Sequence, residues 1–257
     1  MMENRHEKNS DMNWCGAPVL AAAILLSACN TNDEVRTETN PKPWRRQAIV
    51  DPPSLADVKA IRETLPASLN SVVSDLKGDD MRRLRRAAYT IEILAQDAVA
   101  AVPALHEALS SDNNPATQSY IVRALAATGG NKESVAILKK FLKSTSHPIP
   151  RMYAACAVIV ILGIVDDSKA ELKYVLTRLQ AYQSVKPPKN ERDNENLRIL
   201  WEQCWAASHL LVRLGPAADA LTPVFEGLSQ FDDTPLWLKR EVMMTIRRIQ
   251  PDNRTRR

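Results

Sequence analysis

The chain has 257 residues, of which 45% are hydrophobic and 25% are charged, an ordinary balance for a globular protein. Seven glycines and 5% aromatic residues argue against an all-β protein, because such folds need many turns and many β-branched or aromatic strand positions. The net charge of +4 is too small to favour a nucleic acid partner. Four scattered cysteines, without a Cys-x-x-Cys pair, give neither a disulfide framework nor a haem attachment motif. The composition therefore predicts a helical protein.

The first predicted element is a short apolar segment at residues 16–26. A segment that crosses a bilayer needs about 20 apolar residues. This shorter one therefore predicts the hydrophobic region of a signal peptide rather than a membrane span. The tetrapeptide Leu26-Ser27-Ala28-Cys29 follows it directly.

That tetrapeptide resembles the lipobox of bacterial lipoproteins. The resemblance implies that a signal peptidase removes residues 1–28 and that the thiol of Cys29, the new N-terminus, carries a lipid. The lipid would anchor the protein in the cell envelope, on the periplasmic face of the inner or outer membrane. Asn30 follows the cysteine, and the lack of Asp at that position weakly favours the outer membrane.

The N-terminal region leaves two questions open. Lipoprotein signals usually begin with a net positive charge, but here acidic residues precede the apolar segment, namely Glu3, Glu7 and Asp11. Translation from Met12 would remove them. A buried N-terminal helix with a chance Leu-Ser-Ala-Cys is the alternative to a signal peptide.

Residues 31–53 are rich in charges and prolines and show no apolar period. Such a sequence cannot bury enough apolar surface to order itself. We therefore predict that residues 29–53 form a lipidated cysteine followed by a flexible, disordered linker, which holds the next domain just clear of the lipid headgroups.

An internal repeat follows over residues 54–250. The tripeptide Arg86-Ala87-Ala88 returns as Tyr153-Ala154-Ala155 and Trp205-Ala206-Ala207, with a weaker copy at residues 120–127. The turn position recurs at Gln96, Gly130, Gly163 and Gly215, at spacings of 34, 33 and 52 residues. A period of 33–34 suits two helices of about 12–15 residues with tight turns. Paired alanines in the first helix let a neighbouring helix approach closely.

The second helix of each unit has apolar residues at three- and four-residue spacing. Examples are Val102, Leu105 and Leu109 in one unit and Val135, Leu138 and Leu142 in the next. The last spacing is longer, and part of the excess is a polar segment, residues 186–196, which we predict to be an inserted loop. Residues 235–249 predict a closing helix, and residues 251–257 a basic C-terminal tail.

These units resemble HEAT-like repeats, chiefly through the Val-Pro-Ala-Leu second helix at residues 102–105. Armadillo and tetratricopeptide repeats are the alternatives, but the Pro-Ala-Leu placement and the lack of a Trp-Leu-Gly-Tyr signature favour the HEAT type. The resemblance implies an all-α fold, an α-α superhelix in which antiparallel helix pairs stack into a right-handed solenoid.

Catalytic and metal-binding patterns are missing from the sequence. The four histidines are far apart, and there is no phosphate-binding loop, nucleophile elbow or His-Glu-x-x-His motif. We therefore expect no catalytic residue, metal or cofactor, and no enzyme activity. Cys156 and Cys204 are expected to pack as small apolar residues, with a disulfide as the less favoured alternative.

Two further clusters allow a structural and a functional interpretation. Trp201, Trp205 and His209 form one helical stripe, which favours core packing over a ligand groove. A second cluster comprises four arginines at a helix start, which are Arg82, Arg83, Arg85 and Arg86. They favour a solvated surface over a site for phosphate headgroups.

These observations predict a membrane-tethered repeat scaffold that binds protein partners. The alternative is a HEAT-like lyase or another enzyme of unknown substrate; bilin lyases are one such resemblance, but a pigment lyase should be cytoplasmic, which the lipobox opposes. HEAT-like solenoids are expected to line their concave side with second helices. That face would carry a basic strip for an anionic protein partner, formed by Lys139, Lys140, Lys143, Lys173 and Arg178. Solvated lysines that keep the domain soluble are the alternative.

Overall fold

The computed structural model describes residues 67–250 apart from residues 113, 184–190 and 232–233, together with residues 56, 57, 60, 63 and 64. The predicted signal peptide, Cys29, the linker and the C-terminal tail lie outside the described residues. Within them the fold is all α-helical and contains no strand, as predicted.

Ten α-helices cover the described residues from 67 to 250. They are α1 (Ala67–Leu76), α2 (Met81–Leu94), α3 (Val102–Ser111), α4 (Pro115–Ala127), α5 (Lys132–Ser144), α6 (Pro148–Leu162), α7 (Lys169–Gln183), α8 (Glu191–Leu211), α9 (Thr222–Gln230) and α10 (Leu236–Ile249). Short 3₁₀ segments join three of the pairs, at Ala95–Ala101, Asp166–Ser168 and Val212–Leu221. Helices α2, α4, α6 and α8 are the first helices of successive repeats, and α3, α5, α7 and α9 are the second helices.

The first helices pack against one another in chain order, and α10 packs against α8 at the end of the row. Their paired alanines are almost completely buried, including Ala88, Ala154 and Ala207. A methyl side chain lets neighbouring backbones approach closely, and these alanines lie where neighbouring first helices pack together. The role predicted for the paired alanines is confirmed.

The second helices bury one face and expose the other. Leu105 in α3 and Leu138 in α5 are fully buried, while Val135 and Leu142 are only half-buried. In α7 the predicted core residues Leu172, Val175 and Leu179 are all buried. The stack of antiparallel pairs makes the domain a helical solenoid.

The turns between paired helices recur where the sequence places them. Gly130, Gly163 and Gly215 all have positive φ, a conformation that glycine adopts without steric cost. In the first repeat the equivalent residue is Ala95, one position before the predicted Gln96, with φ 52° and ψ −121°. Gly215 has nearly the same conformation, φ 55° and ψ −136°.

The prediction of a loop over residues 186–196 is wrong for its second half, because α8 begins at Glu191. Arg198 forms ion pairs with Glu195 and Glu202, three residues before it and four after it on the helix. Such pairs stabilise an exposed helical turn. Polar residues without an apolar period therefore predicted a loop where the chain forms the first turns of a helix.

Among the described residues, one helical run, Met81–Ser111, is long and apolar enough to cross a membrane, with a mean hydropathy of 1.2 in its most apolar window. It consists of α2, a 3₁₀ segment and α3, and the chain bends at Ala95. More than half of its most apolar window, 56%, is buried inside the repeat domain. A buried core helix has the same composition, so the run is weak evidence for a membrane span.

Candidate partner-binding surface

Side chains of α2 and α8 meet although two other first helices, α4 and α6, lie between them in the row. Glu92 of α2 accepts a hydrogen bond from His209 of α8, with 2.8 Å between Oε1 and Nε2. The guanidinium of Arg213, just after α8, lies 3.5 Å from the same oxygen. Such contacts need a row that curves with its first helices on the inner side. The expectation that the second helices line the concave side is therefore wrong here, and we call the first-helix side the inner face.

Arg123 of α4 lies at the centre of this inner face. Its guanidinium carbon is 5.6 Å from the ring centroid of Tyr89, 5.0 Å from that of Tyr120, 6.0 Å from that of Tyr153 and 5.5 Å from that of Trp205. Each ring comes from a different first helix, α2, α4, α6 or α8 respectively. Cation–π attraction at these distances favours the charged guanidinium even though the side chain is buried. We call Arg123 and these rings the arginine cage.

Glu92 supplies the counter-charge of the arginine cage. Its Oε2 lies 2.7 Å from Nη2 of Arg123, and both side chains are more than 90% buried. Burial alone would raise the pKa of Glu92, but the hydrogen bond from His209 and the charge of Arg123 outweigh it and hold that pKa below its usual value. Burial likewise opposes the charge of Arg123, but Glu92 keeps its pKa raised. The ion pair stays ionised at neutral pH.

The arginine cage has a buried base and a partly exposed rim. Arg123 and Tyr153 are buried, whereas the rings of Tyr89, Tyr120 and Trp205 are half-buried. His209 stacks on Trp205 with 5.0 Å between ring centroids and keeps 26% of its side chain exposed. The inner face therefore presents rigid aromatic surface to solvent, held in place from below by a charged pair.

Two members of the predicted aromatic stripe of α8, Trp205 and His209, lie on this inner face, whereas Trp201 contacts the second helix α7. Trp201, Trp205 and His209 are all half-buried, so the stripe is packed but not part of the core. Trp201 donates a hydrogen bond from Nε1 to the Tyr182 hydroxyl at 3.0 Å. The neighbouring stripe is the core-facing one, since Leu197, Cys204, Ser208 and Leu211 are buried.

The predicted basic strip on the second helices is interrupted. Lys140 and Lys143 of α5 are exposed, and Lys173 of α7 is exposed as well. Lys139 donates to the carbonyl oxygen of Asp167 at 2.7 Å and lies 3.8 Å from Oε1 of Glu171. This part of the surface is mixed in charge rather than uniformly basic.

Arg178, the fifth residue of that strip, lies over the Tyr174 ring, with 5.7 Å between its guanidinium carbon and the ring centroid. Arg151 of α6 lies over the same ring at 5.1 Å. Arg178 is half-buried in this arrangement, so the structure does not bring it together with the exposed lysines as one open surface.

The arginine cluster at the start of α2 is not one open patch either. Arg85 is buried, and its guanidinium donates to Thr117 Oγ1 at 2.9 Å and to Asn114 Oδ1 at 3.1 Å. Asp80 caps the helix by accepting hydrogen bonds from the backbone amides of Arg82 and Arg83. The cap offsets the cost of positive charge at a helix N-terminus.

The two cysteines of the repeat domain are free and buried, as preferred from the sequence. Burial raises the pKa of both the Cys156 and the Cys204 thiol. A protonated, inaccessible thiol is a poor nucleophile. Among the described residues there is also no group of three or more His, Cys, Asp or Glu side chains placed to hold a metal ion.

The similarity to known proteins covers the first part of the domain. Residues 69–159 match the family model for HEAT repeats. The HEAT-type units predicted from the sequence are thus supported from α1 into α6, the range that holds Glu92 and Arg123. No curated protein and no solved structure matches the chain.

The arginine cage was missed at the sequence level, although a signal for it was present. Tyr120, Tyr153 and Trp205 occupy the same position of successive HEAT-like repeats, since each lies ten residues before the turn glycine of its unit. Equivalent positions of stacked repeats lie side by side, so a recurring aromatic residue predicts a row of rings. The charged pair that joins Glu92 to Arg123 has no repeating signal.

Proposed function

We propose that this protein is a lipid-anchored helical repeat scaffold of the bacterial envelope that binds a protein partner on its inner face. HEAT repeats typically mediate protein–protein interaction and are generally not catalytic, which supports binding over the enzyme alternative. The lipobox-like sequence ending at Cys29 supports the anchor and the envelope location.

The observation that supports this choice of surface is the partly exposed rim of the arginine cage. Tyrosine, tryptophan and arginine are enriched among the residues that dominate binding energy in protein interfaces. Rings that are already fixed by packing lose little conformational entropy when a partner binds. The inner face combines both properties at Tyr89, Tyr120 and Trp205.

The basic strip remains the competing surface for an anionic partner. Its exposed members Lys140 and Lys143 form no ion pair with any described residue. A field from exposed lysines is screened by salt, whereas aromatic contacts on the inner face depend much less on ionic strength. Salt dependence of partner binding therefore separates the two surfaces.

Site-specific photocrosslinking in intact cells tests the proposal. A photoreactive phenylalanine analogue replaces Tyr89 or Tyr120 on the inner face, Lys143 on the basic strip, or Glu226 on α9 as an exposed control. We expect one discrete protein adduct from the tyrosine positions and none from Glu226. An adduct from Lys143 alone would move the binding site to the basic strip, and adducts from none of the four would contradict a protein partner.

The anchor is tested separately on the purified membrane fraction. Mass spectrometry of the N-terminal peptide should find a modified Cys29 and no residue before it. Cys29→Ala should move the protein out of the lipidated pool while its helical circular dichroism signal is retained. An unprocessed N-terminus starting at Met1 or Met12 on most of the protein would contradict the anchor but leave the inner-face proposal standing.

A further inference from the structure

The last helix, α10, has an exposed side that differs from those of the other described helices. Six large hydrophobic side chains are exposed among the described residues, and four of them belong to this helix. They are Leu236 at 73%, Trp237 at 47%, Met243 at 42% and Met244 at 48% exposure. Hydrophobic surface concentrated on one helix indicates a binding surface rather than chance exposure.

The buried side of α10 is already used by the fold. Leu238, Val242, Thr245 and Ile249 are buried at three- and four-residue spacing, and the Thr245 hydroxyl donates to the carbonyl oxygen of Ser208 on α8 at 3.3 Å. A helix has 3.6 residues per turn, so the four exposed hydrophobic residues lie on or beside the opposite face. That outward face has no partner among the described helices.

Positive charge is interleaved with this apolar surface. Arg240, Arg247 and Arg248 are exposed on the same side and form no ion pair with any described carboxylate. Glu241, the only acidic residue of the helix, is half-buried at the edge of that side. The sequence continues with three more arginines, Arg254, Arg256 and Arg257.

We propose that the outward face of α10 binds the surface of an anionic lipid bilayer. A helix that lies in a membrane interface buries tryptophan, leucine and similar side chains at the boundary of the acyl chains, and its basic residues contact anionic headgroups. Long arginine side chains reach the headgroups while their aliphatic stems cover apolar surface. Leu236, Trp237 and Met244 together with the three helical arginines have this composition.

A second copy of the chain fits the surface less well. In a symmetric contact between two copies, the same face would meet itself, so the arginines of one copy would approach those of the other. Arginine, tryptophan and methionine are also enriched in protein–protein interfaces, so an acidic protein is the occupant that the experiment has to distinguish from a bilayer. The lipid contact is a second membrane contact, independent of the lipid on Cys29 and of the inner face.

Vesicle binding of the full-length chain tests this contact. The chain carries Cys29→Ser so that no lipid is attached, and its binding to phosphatidylcholine vesicles is compared with binding to vesicles in which about a third of the lipid is phosphatidylglycerol. Any contribution from the apolar residues 16–26 is common to all variants. The readout is therefore the ratio of the anionic to the neutral partition coefficient.

Arg240→Gln combined with Arg247→Gln should lower that ratio by tenfold or more, since each basic residue near an anionic surface contributes about fivefold. Lys140→Gln combined with Lys143→Gln removes the same charge from the exposed side of α5 and should leave the ratio nearly unchanged. Equal losses in both double variants would overturn the proposal, because they would reflect net charge alone. Circular dichroism verifies that both variants stay helical.

Insertion of Trp237 is measured by fluorescence quenching with brominated lipids. The wild-type chain should be quenched more strongly on anionic vesicles than a Trp237→Phe chain, whose other tryptophans are unchanged. Equal quenching would show that α10 does not enter the bilayer. If the arginine variant keeps its vesicle binding but loses a crosslink to an acidic protein in cells, α10 is a protein interface and the lipid contact is overturned.

Discussion

The first and second helices belong to the same repeats, yet they stabilise the domain in different ways. The first helices bury paired alanines against one another and place a charged pair, Glu92 and Arg123, within the aromatic rings of four repeats. The second helices bury leucines on one side, and α3 keeps an ion pair near solvent, that of Glu107 with Lys77. One layer is held by specific long-range contacts and the other by ordinary amphipathic packing.

The difference shows how a short repeat acquires a distinctive surface. The packing of each second helix is explained by its own unit and the neighbouring units, as expected of a solenoid. The arginine cage cannot, because α2, α4, α6 and α8 each contribute one ring to it. Loss of one of its members should therefore affect several repeats at once.

The largest expected effect is the difference in stability lost when a buried ion pair and an exposed one are broken. Glu92→Ala leaves Arg123 buried without its carboxylate, and we expect a loss of about 3–5 kcal/mol in the free energy of unfolding. Glu107→Ala is the matched control, because the pair of Glu107 with Lys77, 3.0 Å apart, is 65% and 55% exposed and should contribute less than about 1 kcal/mol. Urea denaturation measures both. Equal losses would contradict the distinction between the layers.

The next largest loss of stability is expected when the packing of a second helix is disrupted. Leu105 is fully buried in α3, so Leu105→Ala should cost about 2–5 kcal/mol. Val99→Ala, at a residue that is 52% exposed just before the same helix, should cost much less. Chemical denaturation of both variants checks the difference. A small loss at Leu105 would show that the second layer contributes little to stability.

Substitutions in the turns that join the layers should change the stability by smaller amounts and in opposite directions. Ala95 and Gly215 adopt nearly the same positive-φ conformation, which is strained only for alanine. Ala95→Gly should raise the free energy of unfolding by about 1 kcal/mol, and Gly215→Ala should lower it by about 1–2 kcal/mol. No atom lies within 4 Å of a Cβ built at Gly215, so the second effect is purely conformational. Thermal unfolding of the two variants should shift in opposite directions.

The smallest effect is a change in pH dependence. Since the pKa of Glu92 is lowered in the folded state, its contribution is complete above the ordinary glutamate pKa and is lost as the pH falls through the lowered value. Glu92→Gln should therefore be less stable than wild type at neutral pH, and the difference in the free energy of unfolding should narrow as the pH falls below the ordinary glutamate range. Urea titrations at several pH values measure this difference. A difference that is constant with pH would contradict an ionised Glu92.

The sequence predicted the helical repeats because their signals are local. Proline at the start of α3, glycine at the turns and leucine at three- and four-residue spacing each act within about one helical turn, so Leu105, Gly163 and Gly215 were assigned correctly. The curvature of the first-helix row is not local. It decides that Glu92 meets His209 across 117 positions of sequence, and no pattern of spacing specifies that contact.

The surface charges were predicted less well for a related reason. Helical spacing placed Lys139 on the outer side of α5, but its partners Asp167 and Glu171 come from the next repeat. Likewise Arg85 looked solvent-exposed by residue type, but Thr117 and Asn114 of the next first helix bind it. A long charged side chain reaches across a repeat boundary, and its partner is unknown until the repeats are stacked.

The two buried thiols allow local opening of the inner face to be measured. Cys156 lies one turn along α6 from Tyr153, and Cys204 is the direct neighbour of Trp205 on α8. Neither thiol is accessible in the closed fold, so an alkylating reagent marks each one only when its helix separates from the row. The alkylation rate at each cysteine therefore reports how often its helix opens locally, and no cysteine has to be introduced for the measurement. A partner bound to the rim of the arginine cage would hold α6 and α8 together and lower the alkylation rate at both cysteines.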